Sequence, residues 1–462
     1  MKKSIMASAM AAIITLLAGC SNANPGSENP GTSDSSTTSQ QTSSGVTSSS
    51  ENESSSDSES STDNTSAASN PTESDVGVTQ TMMGSIKLTS DNVVNSARLF
   101  DAMSKDKDNS MFSPLSLNMV LGMLESGAGG STKSAIQQYL QKDNYADFAE
   151  DYMAHIRDDL NREEGWFFDK YKDVFEIANS LWAGKAFPIS ADYKKTVSDK
   201  FGAEVQNVDF GNAKNAAKSI NKWTNDKTHK MIPEIVKEEQ LNADTAAVLV
   251  NTVYFESGWV DEWSINEDNK QSFTLLDGSA KEIPLMFNGG DVYYENDKAT
   301  AFGCYYKNGM QFIGILPKES GEFSLEGLDI PSLLASANSK DYDVGAKMPR
   351  LNFESDFPLA EALKAAGLEV MFDPNSADFT KMQGIDGDDV RLFYVSDIFQ
   401  KTKLELDEYG TKAAAVTAAI VAGNAMPEPK EIRRVTLDRP FAFLIYDEQQ
   451  GQIAFMGKVT NP

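Results

Sequence analysis

The sequence predicts a mixed α+β domain, and three observations predict it. Ser113-Pro114 opens a segment in which Met119, Met123 and Leu124 fall at helical spacing, and proline suits the first turn of a helix. Val248 to Phe255 is a short, almost wholly apolar run rich in β-branched and aromatic residues, the pattern of a strand buried in the middle of a sheet. Both lie in the stretch of about 378 residues from Ser85 onward, which is long enough to bury a large core. Helices and sheets sharing such a core make the class α+β.

The chain opens differently. Lys2 and Lys3 precede an apolar run from Ile5 to Leu17, long enough for the core of an export signal and too short to span a bilayer as a mature helix. The run ends in Leu17-Ala18-Gly19-Cys20, which resembles the bacterial lipobox, a small-residue cleavage site before a cysteine that takes up diacylglycerol. Residues 1–19 are therefore expected to be a lipoprotein signal peptide and Cys20 the lipidated residue, each buried CH₂ of its acyl chains contributing roughly 0.8 kcal/mol to membrane binding. Residues 20–84 are expected to form a disordered linker, since from Ser21 onward Ser, Thr, Asn, Glu and Asp dominate and no Lys or Arg occurs. As a flexible coil it would span roughly 45 Å root-mean-square, more with acidic self-repulsion. Residues 85–462 are left as the folded domain, exported and lipid-anchored at the bacterial cell surface.

Composition excludes several functions. The net charge of −27 argues against nucleic acid as a partner, because phosphate binding needs clustered Lys and Arg. Cys304 is the only cysteine besides Cys20, so once Cys20 is lipidated no intramolecular disulfide can form. The two histidines, His155 and His229, stand in no Gly-x-Ser-x-Gly or His-Glu-x-x-His context and are expected to be exposed or capping residues, with no metal site. Gly127-Ala128-Gly129-Gly130 lacks the Lys-Ser/Thr of a phosphate loop and reads as a turn after a helix. No cofactor is implied.

Residues 408–425 are unusual, with small uncharged side chains where a surface loop would carry polar turn residues. By propensity the stretch reads as a helix, since Lys412 to Val421 is Ala-rich and free of Gly and Pro. By period two it reads as a strand. Thr411, Ala413, Ala415, Thr417 and Ala419 would then share a face with nothing larger than Thr, and Lys412 would lie on the other. Such a face could slide between two existing strands without colliding with a packed core.

Asn109 to Thr132, containing Ser113-Pro114 and Gly127-Ala128-Gly129-Gly130, resembles the first signature segment of the serpin family. Further segments follow in family order: Ile220-Asn221-Lys222-Trp223, Leu249 to Phe255 with Gly258-Trp259, Pro284 to Phe287, Ile315 to Lys318, and Met348-Pro349-Arg350-Leu351. Ala377-Asp378-Phe379, Asp438-Arg439-Pro440-Phe441 and Phe455 to Pro462 complete the series, which covers all of the chain except signal and linker.

The resemblance implies the serpin fold, with three β-sheets, about eight or nine helices and an exposed reactive loop. It also implies a suicide-type inhibitor of serine proteases, a monomer with no catalytic residue of its own, whose cleaved loop inserts into the central sheet and traps the acyl-enzyme. The alternative is a non-inhibitory serpin acting as a surface binding or scaffold protein; the small hinge residues favour inhibition. The hinge falls on Glu408, Gly410, Thr411, Ala413, Ala414, Ala415 and Thr417. Trp259 and Arg350 match positions where insertion begins, Arg350 as the partner of Glu408; Ser113, Ser116 and Asn251 match a polar cluster beneath the strands that must part. Gln400 stands where a histidine is usual; it can still donate and accept, but without that residue's pH response. Family spacing counted from Glu408 places the scissile bond at Asn424–Ala425, whereas counting back from Pro440 places it near Pro429. Prolines at 427 and 429 disfavour the latter, leaving Asn424, Ala425 and Met426 as candidates and an elastase-like or subtilisin-like protease as the preferred target.

Overall fold

The computed structural model describes residues 90–161, 173–185, 187–243, 245–383, 393–396, 398–411 and 430–462. Helix α1 (Ser90–Ser104) and strand β1 (Asn109–Phe112) lead into α2 (Pro114–Gly127), α3 (Gly130–Leu140) and α4 (Tyr145–His155). A π-helical turn, Ile156–Leu160, closes α4 before β2 (Val174–Gly184), α5 (Ala191–Phe201), β3 (Glu204–Val208) and α6 (Ala213–Lys227). Strands then dominate: β4 (Ala247–Gly258), β5 (Ser264–Thr274), β6 (Ala280–Gly290), β7 (Val292–Glu295), β8 (Ala299–Tyr305) and β9 (Gln311–Pro317). After α7 (Ile330–Ala335) come β10 (Tyr342–Met348), β11 (Leu351–Pro358) and α8 (Ala360–Leu363). The last strands are β12 (Phe399–Asp407), β13 (Gly410–Thr411), β14 (Glu431–Thr436), β15 (Phe441–Asp447) and β16 (Gln452–Val459).

The strands form three sheets, which with eight α-helices among the described residues make the expected α+β serpin architecture. The main sheet runs β11-β12-β13-β4-β2-β3, the core sheet β1-β16-β15-β9-β8-β7, and a four-stranded end sheet β14-β10-β6-β5. Helix α2 starts at the Ser113 cap, whose hydroxyl accepts from the Ser116 N–H at 3.1 Å, with Pro114 in its first turn. Every residue of α2 except Ser126 is buried, so it serves as a core rod rather than a surface helix with one apolar stripe. Gly122 lets α4 and α5 close on it, since a Cβ there would meet Tyr145 and Phe201. Gly127 to Gly130 is the turn between α2 and α3.

Strand β4 explains its apolar run by alternation. Val248 and Val250 pack toward α6 with Trp182 and Trp223, whereas Leu249, Val253 and Phe255 pack toward the main core. Val248, Leu249 and Val253 remain partly exposed, so burial is not complete along the whole run as its composition predicts. Pairing with β2 over Ala247–Glu256 makes β4 one wall of the place where β13 enters.

Candidate functional site

After β12 the chain turns through Glu408 and Tyr409 and comes back as the two-residue strand β13, antiparallel to both neighbours. Thr411 stands opposite Leu406 on one side and Ser257 on the other, and Gly410 opposite Asp407 and Gly258. Gly410 has φ +151°, and a Cβ there would collide with the Ser257 carbonyl, so close backbone approach requires glycine. Thr411 is only 4% exposed, and its hydroxyl lies 2.8 Å from the Tyr306 hydroxyl. Tyr306 stacks on Trp259 at 4.2 Å between ring centroids. The Trp259 indole donates to the Asp407 carbonyl (2.9 Å), its backbone N–H to the Tyr409 carbonyl (3.0 Å), and the Trp263 N–H to the Glu408 carbonyl (2.9 Å). The turn is thus held from one side along its whole length.

Arg350 holds it from the other. Its Nε and Nη2 each donate to a different Glu408 oxygen at 2.7 Å, while Nη1 donates to Glu267 at 2.6 Å. The guanidinium holds the Glu408 carboxyl below its ordinary range. A lowered carboxyl pKa contributes stability above the ordinary value near 4.5, lost as pH falls through the folded value. The Glu408 side chain is 13% exposed and Arg350 40%, so the forked geometry is partly screened and is worth about 1 kcal/mol. Arg350→Ala is expected to lower the unfolding free energy by about that amount at pH 7 and by progressively less as pH falls through the folded Glu408 value; denaturant melts at pH 7 and down the acid range check it.

Beneath Thr411 the gap between β4 and β12 continues as a slot of about 10 Å³, bounded by Val253 and Phe255 on one wall and Lys403 and Leu404 on the other. That is room for about one water. Any further residue entering behind Thr411 therefore requires β4 and β12 to separate.

A polar cluster lies under the same two strands. Gln400 of β12 forms a two-point amide pair with the Ser113 backbone, accepting from its N–H at 2.7 Å and donating to its carbonyl at 2.9 Å. The Ser113 hydroxyl donates to the Ala454 carbonyl at 2.7 Å. The Ser116 hydroxyl donates to Asn251, whose amide donates to Asn179 (2.6 Å), which donates to the Phe201 carbonyl (2.8 Å). The N-terminus of α2 thus bonds to β12 through Gln400 and to β4 and β2 through the two asparagines, with no titrating group.

The sequence model of the family described as Serpin (serine protease inhibitor) matches residues 92–462. This chain belongs to the serpin family. Neuroserpin of Gallus gallus is 31% identical over 391 residues, covering 80% of this chain and 89% of that one. An uncharacterized serpin-like protein of Methanosarcina acetivorans is 30% identical over 381 residues, 80% and 85% of the two chains. Among solved structures, the thermophilic serpin tengpin in its native state superposes with TM-score 0.68 at 27% identity, over 81% of this chain and 94% of that one. Native protease nexin-1 with heparin gives TM-score 0.65 at 26% identity, over 81% and 98%.

Of the site residues read from the sequence, the serpin structure brings Glu408, Gly410, Thr411, Trp259 and Arg350 together at the upper end of the main sheet, and Ser113, Ser116, Asn251 and Gln400 beneath it. Ala413, Ala414, Ala415, Thr417, the bond candidates Asn424, Ala425 and Met426, and Cys20 lie outside the described residues. Sequence reasoning missed Tyr306, Glu267 and Asn179. The signal for Asn179 was present: it is a polar residue in an apolar run and the registered partner of Asn251.

One expectation is corrected. His229 is exposed, tilted against the Tyr254 ring at 4.3 Å and 3.1 Å from Glu176, but His155 is neither exposed nor bonded as a cap. His155 is buried between two carboxylates, Asp159 on the next helical turn and Asp447, distant in sequence at the end of β15. A local reading could not supply the second partner.

Proposed function

We propose that this serpin is a suicide-type inhibitor of serine proteases, trapping the acyl-enzyme by insertion of its reactive loop between β4 and β12. The observation that carries the reading is β13, whose Gly410 and Thr411 already pair on both sides in the line a longer inserted strand would follow. The protease serine attacks a bond among Asn424, Ala425 and Met426, and the freed loop continues β13 downward, with Ala413, Ala415 and Thr417 on the Thr411 face. If about a dozen residues each gain a ladder bond worth roughly 1 kcal/mol, insertion yields on the order of 10 kcal/mol. A whole domain's stability is commonly about 5–15 kcal/mol, so the captured protease can be deformed. Its oxyanion and triad geometry then no longer supports deacylation. In this role the serpin contributes mechanics and no catalytic residue.

Small residues around the bond candidates suit an elastase-like or subtilisin-like target. In this reading the inhibitor acts as a monomer on a lipid anchor at the bacterial surface, which the lipobox-like Cys20 and the acidic linker support. The test mixes the purified full-length chain with elastase-like, subtilisin-like, chymotrypsin-like and trypsin-like proteases and examines a denaturing gel. A denaturant-resistant complex, with a released fragment beginning at residue 425 or 426, is the expected result. Clean cleavage of the loop with every protease left active would instead support a binding or scaffold role.

A further inference from the structure

His155 is a buried titratable group for which the insertion mechanism above has no use. Its Nδ1 lies 2.8 Å from Asp159 and its Nε2 3.0 Å from Asp447. A neutral imidazole has one donor and one acceptor nitrogen, so in this geometry it would aim a lone pair at one of two carboxylates. Only the imidazolium donates to both. The groups bearing on the ring are Asp159 from the π-helical turn, Asp447 from β15, and Tyr152 one turn earlier on α4, whose hydroxyl donates to the same Asp447 oxygen at 3.0 Å. A cavity of about 320 Å³, lined by Asp159, Leu160, Asn308, Asp447 and Glu448, opens beside the two carboxylates that hold the ring. Across it, Glu448 accepts from the Tyr305 hydroxyl at 2.7 Å. Burial draws the His155 pKa down, but the bonds to Asp447 and Asp159 outweigh it and hold the ring above its ordinary value.

The pair spans two parts of the molecule. Asp447 belongs to the core sheet, while His155 ends α4, and the turn after it finishes at Asn161, whose side chain bonds both the N–H (2.7 Å) and the carbonyl (2.9 Å) of Phe175 in β2. Strand β2 is zipped to β4 from Ala247 to Glu256, so β4 cannot leave β12 without straining whatever ties β2 to the core sheet. We propose that His155 is a positioning residue: as an imidazolium it bolts the β2–β4 side of the main sheet to the core sheet, and on losing its proton it releases that side to admit the loop. The inference rests on the insertion reading above for its functional consequence. Because the folded pKa is raised, the bolt's stabilisation is complete below about pH 6.5 and is lost as pH rises through the folded value.

The test uses the full chain as wild type, His155→Gln and Asp159→Asn, with a synthetic peptide of residues 411–424 as the probe and its uptake followed by native gel. Wild-type uptake is expected to quicken roughly fivefold between about pH 6.5 and pH 9; His155→Gln already takes up peptide at the faster rate at the lower pH, and Asp159→Asn moves the midpoint to lower pH. Parallel profiles for wild type and His155→Gln overturn the bolt. Absence of uptake by every form overturns the insertion reading instead, and thermal unfolding then decides the bolt alone. The wild type's advantage in Tm over His155→Gln should shrink steadily from about pH 6.5 to pH 9, and a constant difference overturns it. Asp159→Asn supplies the same comparison where His155→Gln does not fold.

Discussion

Thr411→Arg abolishes the denaturant-resistant complex and leaves a chain that proteases cut and then release. Thr411 is the residue of β13 whose side chain enters the interior, against Tyr306 and between Leu406 and Ser257. The slot below it has no room for a guanidinium, and a buried cation without a partner costs several kcal/mol. Thr411 already sits between β4 and β12 and every further residue must follow it, so an arginine there holds β13 out of the sheet and blocks the insertion that would continue it, while loop cleavage proceeds as before. The readouts are the complex band, the recovered protease activity and the mass of the cleaved chain. Thr411→Ser, which keeps the hydroxyl near Tyr306, retains the complex. An Arg variant that inhibits as well as the parent would sink insertion between β4 and β12 as the mechanism.

Trp259→Ala is expected to give a large stability loss, about 3–5 kcal/mol in denaturant melts. Trp259 is 1% exposed, stacked on Tyr306, and set edge-on to Phe312, so its removal leaves a hole bounded by aromatic faces. It also removes the indole bond to the Asp407 carbonyl. Trp259→Phe keeps most of the volume and loses mainly that bond, for about 1 kcal/mol. The ordering of the two variants separates packing from hydrogen bonding. A loss under about 1 kcal/mol for the alanine variant would mean that the β12–β13 turn does not lean on this ring.

Much of the architecture is legible in the sequence because the ordered segments from Asn109 to Pro462 mark strands and helices that must meet. Gln400 is instructive, since the chemistry of an amide alone, one donor and one acceptor, foretells a residue able to bond both sides of the Ser113 peptide group. Other features leave no local trace. Strand β5, Ser-Ile-Asn-Glu-Asp-Asn-Lys-Gln-Ser-Phe-Thr, has no apolar alternation, because it is an exposed edge of the end sheet with a register shift between Ile265 and Lys270. Gly410 reads as a loop glycine, and only the Ser257 carbonyl on its neighbour strand shows why a Cβ is excluded. His155 reads as an exposed or capping residue until β15 delivers Asp447 to it. For Gly410 and His155 the deciding contact joins positions far apart in the chain, and periodicity reports only on near neighbours.

The order of strands in the core sheet also governs how the molecule can be made. Strands β15 and β16, within residues 441–459, are not edge additions: β15 lies between β9 and β16, and β16 between β15 and β1. Strand β1, from the beginning of the domain, has β16 as its partner, through pairs such as Asn109 with Val459. A growing chain therefore holds the two flanks of this sheet, β1 on one side and β7 to β9 on the other, with nothing to join them until the segment 441–459 emerges. Such long-range closure makes folding slow and leaves apolar strand edges exposed meanwhile. Closure of the sheet's centre therefore waits for residues 441–459, and truncation before Phe441 removes the two strands that join β1 to β9.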